Sequence, residues 1–241
     1  RAQKLRTAMT ILGIAWGTVA VVVLLAFGTG LETHVMKRFH GLGDRIVILF
    51  GGETTKPFEG FGDGRPILLR EADAHLLEQQ IPQIVLISPE YSWRGTPVRN
   101  GRSITNPNIT GVWPSYTFLR NVIPQAGGRF VNQADLDQRR RVVVLGDRIR
   151  ELLFEDVHGD VVGRQVMIGE TPFTVIGVMT PKDQSSSYNS RDRDRVFIPA
   201  STHAALFGQR YVSNIIYRTT GGEATQEAER ALFRVLGNKY R

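Results

Sequence analysis

The stretch TAMTILGIAWGTVAVVVLLAFGTGL, residues 7–31, carries no charged side chain over its 25 positions. A buried core helix, a cleaved signal peptide and a membrane span could each explain it. As a helix rising about 1.5 Å per residue it would reach ~37 Å, against a hydrocarbon core of about 30 Å. No proline interrupts it, and the hydroxyls of Thr7, Thr10, Thr18 and Thr29 can bond back to the preceding turn. A core helix of this length would show a polar face, and none is present. Ala26-Phe27-Gly28 could pass for a signal cleavage site. However, a signal h-region is roughly 7–15 residues, and the pattern here runs on into LETHVMKRF. The expectation is an uncleaved transmembrane helix over 7–31. Arg1, Lys4 and Arg6 form a basic cytoplasmic anchor in residues 1–6, which sets Glu32 onward outside. Lys37, Arg38 and Arg45 blur that asymmetry, but a long folded domain translocates largely regardless of its charge.

Within the block, Gly13 and Gly17 make a G-x-x-x-G. Two glycines on one face let another helix approach closely in lipid, so the pair is a candidate helix–helix interface. Glycine is also common in membrane helices generally, and the spacing alone does not choose.

The chain has 241 residues, enough for one large domain or two small ones. It has no cysteine, which removes disulfides, thiolate metal sites and thiol nucleophiles together. The net charge of +7 divides unevenly: removing Arg1, Lys4 and Arg6 leaves 30 − 3 = 27 basic against 23 acidic residues. The dense run Arg139-Arg140-Arg141 leads into an apolar VVVLG and reads as a solvated strand entrance. Nucleic-acid binding, which needs a concentrated basic stripe, is not expected.

Beyond the apolar block, RIVILF (45–50) reads as a strand, and 51–66 is too rich in Gly and Pro for regular structure. ILLREADAHLLEQQ (67–80) has apolar positions Leu68, Leu69, Ala72, Leu76 and Leu77 at helical spacing, and IVLIS before Pro89 is a second strand. The middle part is mostly β. Asn100-Gly101 signals a hairpin, RVVVLG feeds a helix DRIRELLF, and residues 161–179 form a hairpin turning near Gly169-Glu170. The polar stretch 180–195, TPKDQSSSYNSRDRDR, has almost nothing to bury and predicts a mobile loop. Then RVFIP is a strand, STHAALFG a helix opened by a Ser/Thr cap, VSNIIYRT a strand and the rest a long helix. The expected fold class is α+β, with two strand–helix–strand halves flanking a β-rich insertion. The boundaries are 32–95, 96–188 and 189–241.

No catalytic constellation emerges. There is no P-loop, so ATP hydrolysis cannot be argued for this chain. His34, His40, His75, His158 and His203 are scattered, without a helical i, i+4 metal pair. Asp135/Asp137 and Asp192/Asp194 read as solvated turn acids. Ser185-Ser186-Ser187 falls in the mobile loop, and Asn108-Ile109-Thr110 is only a formal glycosylation sequon. Trp93 and Trp113 read as packing residues. No catalytic, cofactor-binding or metal residue, and no cofactor, is expected.

Taken together, KLRTAMTILGIAWGTVAVVVLLAFGTGL, RVVVLGDRIRELLF, VVGRQVMIGETPFTVIGVM, DRVFIPAST and ALFRVLGNKYR resemble, in order and spacing, the MacB-like periplasmic core domain of MacB/FtsX-type ABC transporter permeases. The first piece resembles that family's first transmembrane helix. The resemblance implies a porter-like lobe built from both strand–helix–strand halves and an inserted β-rich lobe. It implies a non-catalytic domain in the inner (plasma) membrane protein, with the bulk of the chain periplasmic or extracellular. The implied partners are a cytoplasmic ABC ATPase, a second permease copy making a dimer through Gly13 and Gly17, and the lipid bilayer. Depending on the host envelope, a periplasmic adaptor or other envelope protein joins them. Motion from the ATPase would cross the membrane through the first helix to drive export, extrusion or envelope-protein regulation. The family has three further membrane helices, so the chain, which starts without methionine and ends at Arg241, is expected to be a fragment. Two other readings remain: a single-span anchored sensor or ligand-binding domain, and an anchored hydrolase.

Overall fold

The computed structural model describes residue 9 and residues 11–27, 46–55, 62–157, 159–182, 184 and 188–240. Arg1–His40 and Gly41–Arg241 form two compact units. In the first, residues 11–27 are helical (α1) and exposed along their length. Among the described residues no helix is long and apolar enough to cross a membrane. The remaining positions of the expected 7–31 span, and Arg1, Lys4 and Arg6, lie outside the described residues, as do His34, His40 and His158.

The second unit is α+β, built on a mixed sheet. Its strands are β1 (Ile46–Phe50), β2 (Ile84–Trp93), β3 (Val98–Asn100), β4 (Ser103–Thr105), β5 (Asn108–Val112), β6 (Val142–Leu145), β7 (Gln165–Ile168), β8 (Thr171–Val178), β9 (Arg195–Pro199) and β10 (Asn214–Thr219). They lie in the order β1-β10-β2-β5-β9-β6-β8-β7-β3-β4. Among the described residues only β5–β9 and β6–β8 are parallel. The helices are α2 (Glu71–Gln80), α3 (Tyr116–Arg120), α4 (Gln133–Asp137), α5 (Asp147–Leu153), α6 (Ala200–Phe207) and α7 (Gly222–Lys239).

Strand alternation explains how the sheet is covered. Successive side chains of a strand point to opposite faces. In β1, Val47 and Leu49 join a cluster with Leu77, Leu232 and Leu236 under α2 and α7, while Ile46 and Ile48 join one around Tyr116, Leu119 and Phe197. At the far end, Val143, Leu145, Val196 and Ile198 alternate with Val142, Val144 and Phe197 in the same way. One face therefore carries a cluster at each end, and the other carries a third across the middle. Along α7, Ala228, Leu232 and Leu236 recur every four residues and form its buried stripe.

Several expectations need correction. β2 does not stop before Pro89 but runs to Trp93. Pro89 pairs with Ile215 of β10, while pairing with β5 begins one residue later at Glu90, so the strand is engaged on one side only there. Helix α2 starts at Glu71. Leu68 and Leu69 precede it, and of the predicted stripe Leu69 and Leu77 are buried while Ala72 is exposed; the helix buries Asp73 and Ala74 beside Leu77. The Ser/Thr cap of α6 is absent: Pro199 stands at the cap position, and Ser201 and Thr202 donate to the carbonyls of Leu136 and Arg140 (2.6 and 2.9 Å). The two predicted hairpins do form. Gly101 (φ +57°) and Gly169 (φ +57°) take the left-handed conformation their turns require.

Candidate functional site: a buried ionic cluster and an apolar helix

Within the predicted loop 180–195, whose residues 183 and 185–187 lie outside the described residues, the described part is where the structure departs most from the sequence reading. Counting in twos along β2 and β9, Glu90 falls on the face of Leu86, and Arg195 on that of Phe197. Both therefore point toward the third cluster, and neither is exposed. Arg195 Nη1 reaches Glu90 Oε1 at 3.2 Å. Helix α3 adds Tyr116, whose hydroxyl donates to Glu90 Oε2 (3.0 Å), and Arg120, whose Nη2 donates to both oxygens of Asp192 (3.1 and 3.2 Å). Lys182 Nζ closes on Asp192 Oδ2 at 2.7 Å. The Tyr188 hydroxyl also donates to Glu90, and its ring lies 4.9 Å from the Arg120 guanidinium carbon and 5.6 Å from that of Arg195. Two carboxylates thus face three cations in a site removed from water.

The electrostatics follow from that count. Burial would push the Asp192 carboxyl up, but Arg120, Lys182 and Arg195 together hold it below the usual carboxylate range. Burial also draws Lys182 down, partly offset by Asp192. The Tyr188 and Tyr116 hydroxyls are raised by burial and by the Glu90 charge beside them, so they stay protonated as donors. Every Glu90 oxygen is engaged and closed off from solvent. The cluster is arranged to hold segments together rather than to transfer a proton or attack a substrate.

The other D-x-D pair is half structural as well. Asp135, expected to be solvated, is buried: it accepts from the amide of Asn132 (3.0 Å) and binds Arg129 Nη1 at 2.6 Å. Asp194 stays partly exposed, 3.7 Å from Arg148. His203 is buried in the core and His75 lies tilted at 37° against Trp113 with centroids 4.4 Å apart. Among the described residues no group of three or more His, Asp or Glu is placed to hold a metal ion. Trp113 is buried, with its Nε1 donating to Glu71 (2.7 Å), and Trp93 stacks on Phe207 at 4.9 Å, both as packing residues.

A second polar tie joins α2 to the end of α7. The fully buried Asp73 accepts from the Arg70 amide (2.7 Å), Lys239 Nζ (2.5 Å) and the Tyr240 hydroxyl (2.6 Å). Between α7 and β1 runs an apolar groove of ≈ 680 Å³ lined by Phe50, Ile67, Leu232 and Phe233. On α1, a Cβ added at Gly13 or Gly17 would meet nothing within 4 Å, so both backbones are open to approach.

A mixed α+β sheet with a buried ionic cluster makes up the folded unit of a chain led by an exposed apolar helix. The chain belongs to the MacB-like periplasmic core domain family, whose model matches residues 7–234. Among its relatives, the macrolide export ATP-binding/permease protein MacB of Rhodospirillum rubrum is 30% identical over 242 residues, covering 100% of this chain and 36% of the relative. That of Hyphomonas neptunium is 33% identical over 232 residues, covering 96% and 35%. The chain thus spans about a third of the length of these relatives. Two solved structures share the fold. The periplasmic region of MacB from Actinobacillus actinomycetemcomitans has TM-score 0.66 at 23% identity, covering 85% of this chain and 88% of that one. The extracellular domain of the noncanonic ABC-type transporter YknZ from Gram-positive bacteria has TM-score 0.66 at 17% identity, covering 81% and 94%.

Proposed function

We propose that this chain is the extracytoplasmic core of an ABC transporter permease subunit, carrying motion from a cytoplasmic ATPase outward to drive export, extrusion or regulation of an envelope protein. One observation carries the reading: the family match begins at residue 7, at the start of the apolar block, and runs on through the folded domain, so one family match takes in both. The names of the relatives, which couple ATP binding to a permease, support the ATPase partner.

In this reading residues 7–31 span the inner membrane, Arg1, Lys4 and Arg6 anchor the cytoplasmic end, and residues from 32 onward lie outside. The exposed apolar side chains of α1 support lipid as its surroundings. Gly13 and Gly17 seat a second permease copy. Residues 32–95 and 189–241 form the porter-like lobe, 96–188 the inserted lobe, and an adaptor or other envelope protein meets the outer part. No step of catalysis is assigned to the chain.

The test uses the full-length protein in membranes. This chain has no cysteine of its own, so once any cysteine elsewhere in the full-length protein is replaced, spin labels at exposed Ile104 and Phe233 report the distances between those two sites. ATP with vanadate should shift the distance distribution between or within protomers. Distributions identical with and without nucleotide would refute motion transfer.

A further inference from the structure

Tyr188–Asp194 is attached almost wholly by polar groups, and to several separate elements at once. The Tyr188 hydroxyl binds Glu90 of β2. Asn189 Nδ2 donates to Ser92 Oγ (2.9 Å), and Arg94 Nη2 donates back to the Asn189 carbonyl (2.5 Å) and to its Oδ1 (2.9 Å). Arg195 Nε donates to the Ser190 carbonyl and hydroxyl, both at 3.0 Å. Asp192 takes Arg120 of α3, and Arg193 and Asp194 face Asp147 and Arg148 of α5 (3.3 and 3.7 Å). The one aromatic residue, Tyr188, stands at the rim of the third cluster with its ring between two guanidiniums.

Two features separate this docking from ordinary core packing. First, lifting the segment would expose groups that water solvates well, so the apolar penalty that normally keeps a segment down is small here. Second, the docked state is incompletely bonded. Among the described residues Arg120 Nε and Nη1 and Arg195 Nη2 are buried with no hydrogen-bond partner, whereas opening would admit water to them. The sheet side would stay paired after lifting, because Arg195 Nη1 keeps Glu90 Oε1 and the Tyr116 hydroxyl (both 3.2 Å), and Tyr116 keeps Glu90.

We propose that Tyr188–Asp194 is a polar latch, closed on Glu90 and Arg120, which opens as a unit while the sheet beneath remains folded. Glu90 is its key, accepting from the latch through Tyr188 and from the scaffold through Tyr116 and Arg195. The inference concerns the folded unit alone and stands or falls independently of the transporter reading.

The absence of cysteine makes the test direct. Thr110 is fully buried on β5, sits opposite Ser92 in register, and its hydroxyl has no hydrogen-bond partner, so Thr110→Cys places a thiol near the latch without losing a bond. Ala74→Cys places a control thiol in the cluster under α2. Native-state thiol labelling of the purified chain in detergent should modify Thr110→Cys at least tenfold faster than Ala74→Cys. Adding Tyr188→Phe should accelerate the first a further tenfold and leave the second unchanged. Hydrogen exchange at the Asp192 amide, which donates to Gln184 Oε1 (2.8 Å), should follow the first thiol. Equal rates at both thiols, or a Thr110→Cys rate unmoved by Tyr188→Phe, would overturn the latch.

Discussion

Acidification from pH 7 to pH 5 should destabilise the folded unit by about 2 kcal/mol through His203 alone. His203 is fully buried on α6. Its ring stacks against Tyr91 with centroids 5.3 Å apart and lies 4.8 Å from Phe207. Nε2 faces the Ile109 carbonyl at 3.2 Å, while Nδ1 has no partner. A neutral ring donating through Nε2 fits this site. A second proton, on Nδ1, would find no acceptor. Burial accordingly pulls the pKa from 6.5 to about 4, the Ile109 carbonyl opposing it only in part. An unfolded chain binds the proton near pH 6.5 and the folded one only near pH 4. The folded state therefore keeps its full stability above pH 6.5 and loses it as pH falls through that window. At about 1.4 kcal/mol per unit the whole difference is about 3 kcal/mol, of which about 2 is spent by pH 5. Urea unfolding at pH 5, 6 and 7, followed by the emission of Trp93 against Phe207, measures it in the parent and in His203→Phe. The parent should lose about 2 kcal/mol more than the variant. Asp147, raised by burial against the pull of Arg193, titrates with the opposite sign but equally in both chains. Equal losses in parent and variant would refute the argument.

The other expectations follow the same geometry. Gly111→Ala puts a Cβ 2.5 Å from His203 Cβ; it should cost about 1–3 kcal/mol in thermal unfolding, and His203→Gly in the same chain, which removes that Cβ, should relieve part of the loss, whereas His203→Ala, which keeps it, should not. Asp73→Asn weakens the tie among Arg70, Lys239 and Tyr240 by about 1–3 kcal/mol, read as faster amide exchange in the last turn of α7 with the strands unchanged. Gly13→Leu with Gly17→Leu should lower crosslinked dimer in membranes severalfold and leave the melting of the folded unit unmoved, since both positions are open.

What was legible in the sequence was what local pattern decides. β1, β6 and α5 and the hairpin at Gly169 lie where hydrophobic period and turn chemistry put them, because each is determined by neighbours within a few residues. The family was legible for a related reason: five local patterns in fixed order constrain a fold more tightly than any one of them. Errors arose where tertiary context overrode the local signal. Pro89 looks like a strand terminator, yet β2 passes through it because β5 has not yet joined there. The stripe on α2 holds only at Leu69 and Leu77, because the helix begins at Glu71 and because Asp73, a polar residue, is buried by partners from the far end of the chain.

The ionic cluster was the largest omission, and its cause is the distance over which its partners are drawn. Glu90 and Arg195 lie 105 residues apart, and Tyr188 and Glu90 lie 98 apart. A polar stretch such as 180–195 reads as solvated because, taken alone, it has nothing to bury. Burial of a charge depends instead on whether a partner of opposite sign is delivered to the same point. One signal of that delivery was present. In β2 and β9 the alternation assigns Glu90 and Arg195 to inward positions, where an unpaired charge would be expelled by its desolvation penalty. Opposite charges at inward positions of two strands of one sheet demand each other, and the tyrosines and the aspartate around them then have to come from whatever segment crosses that point.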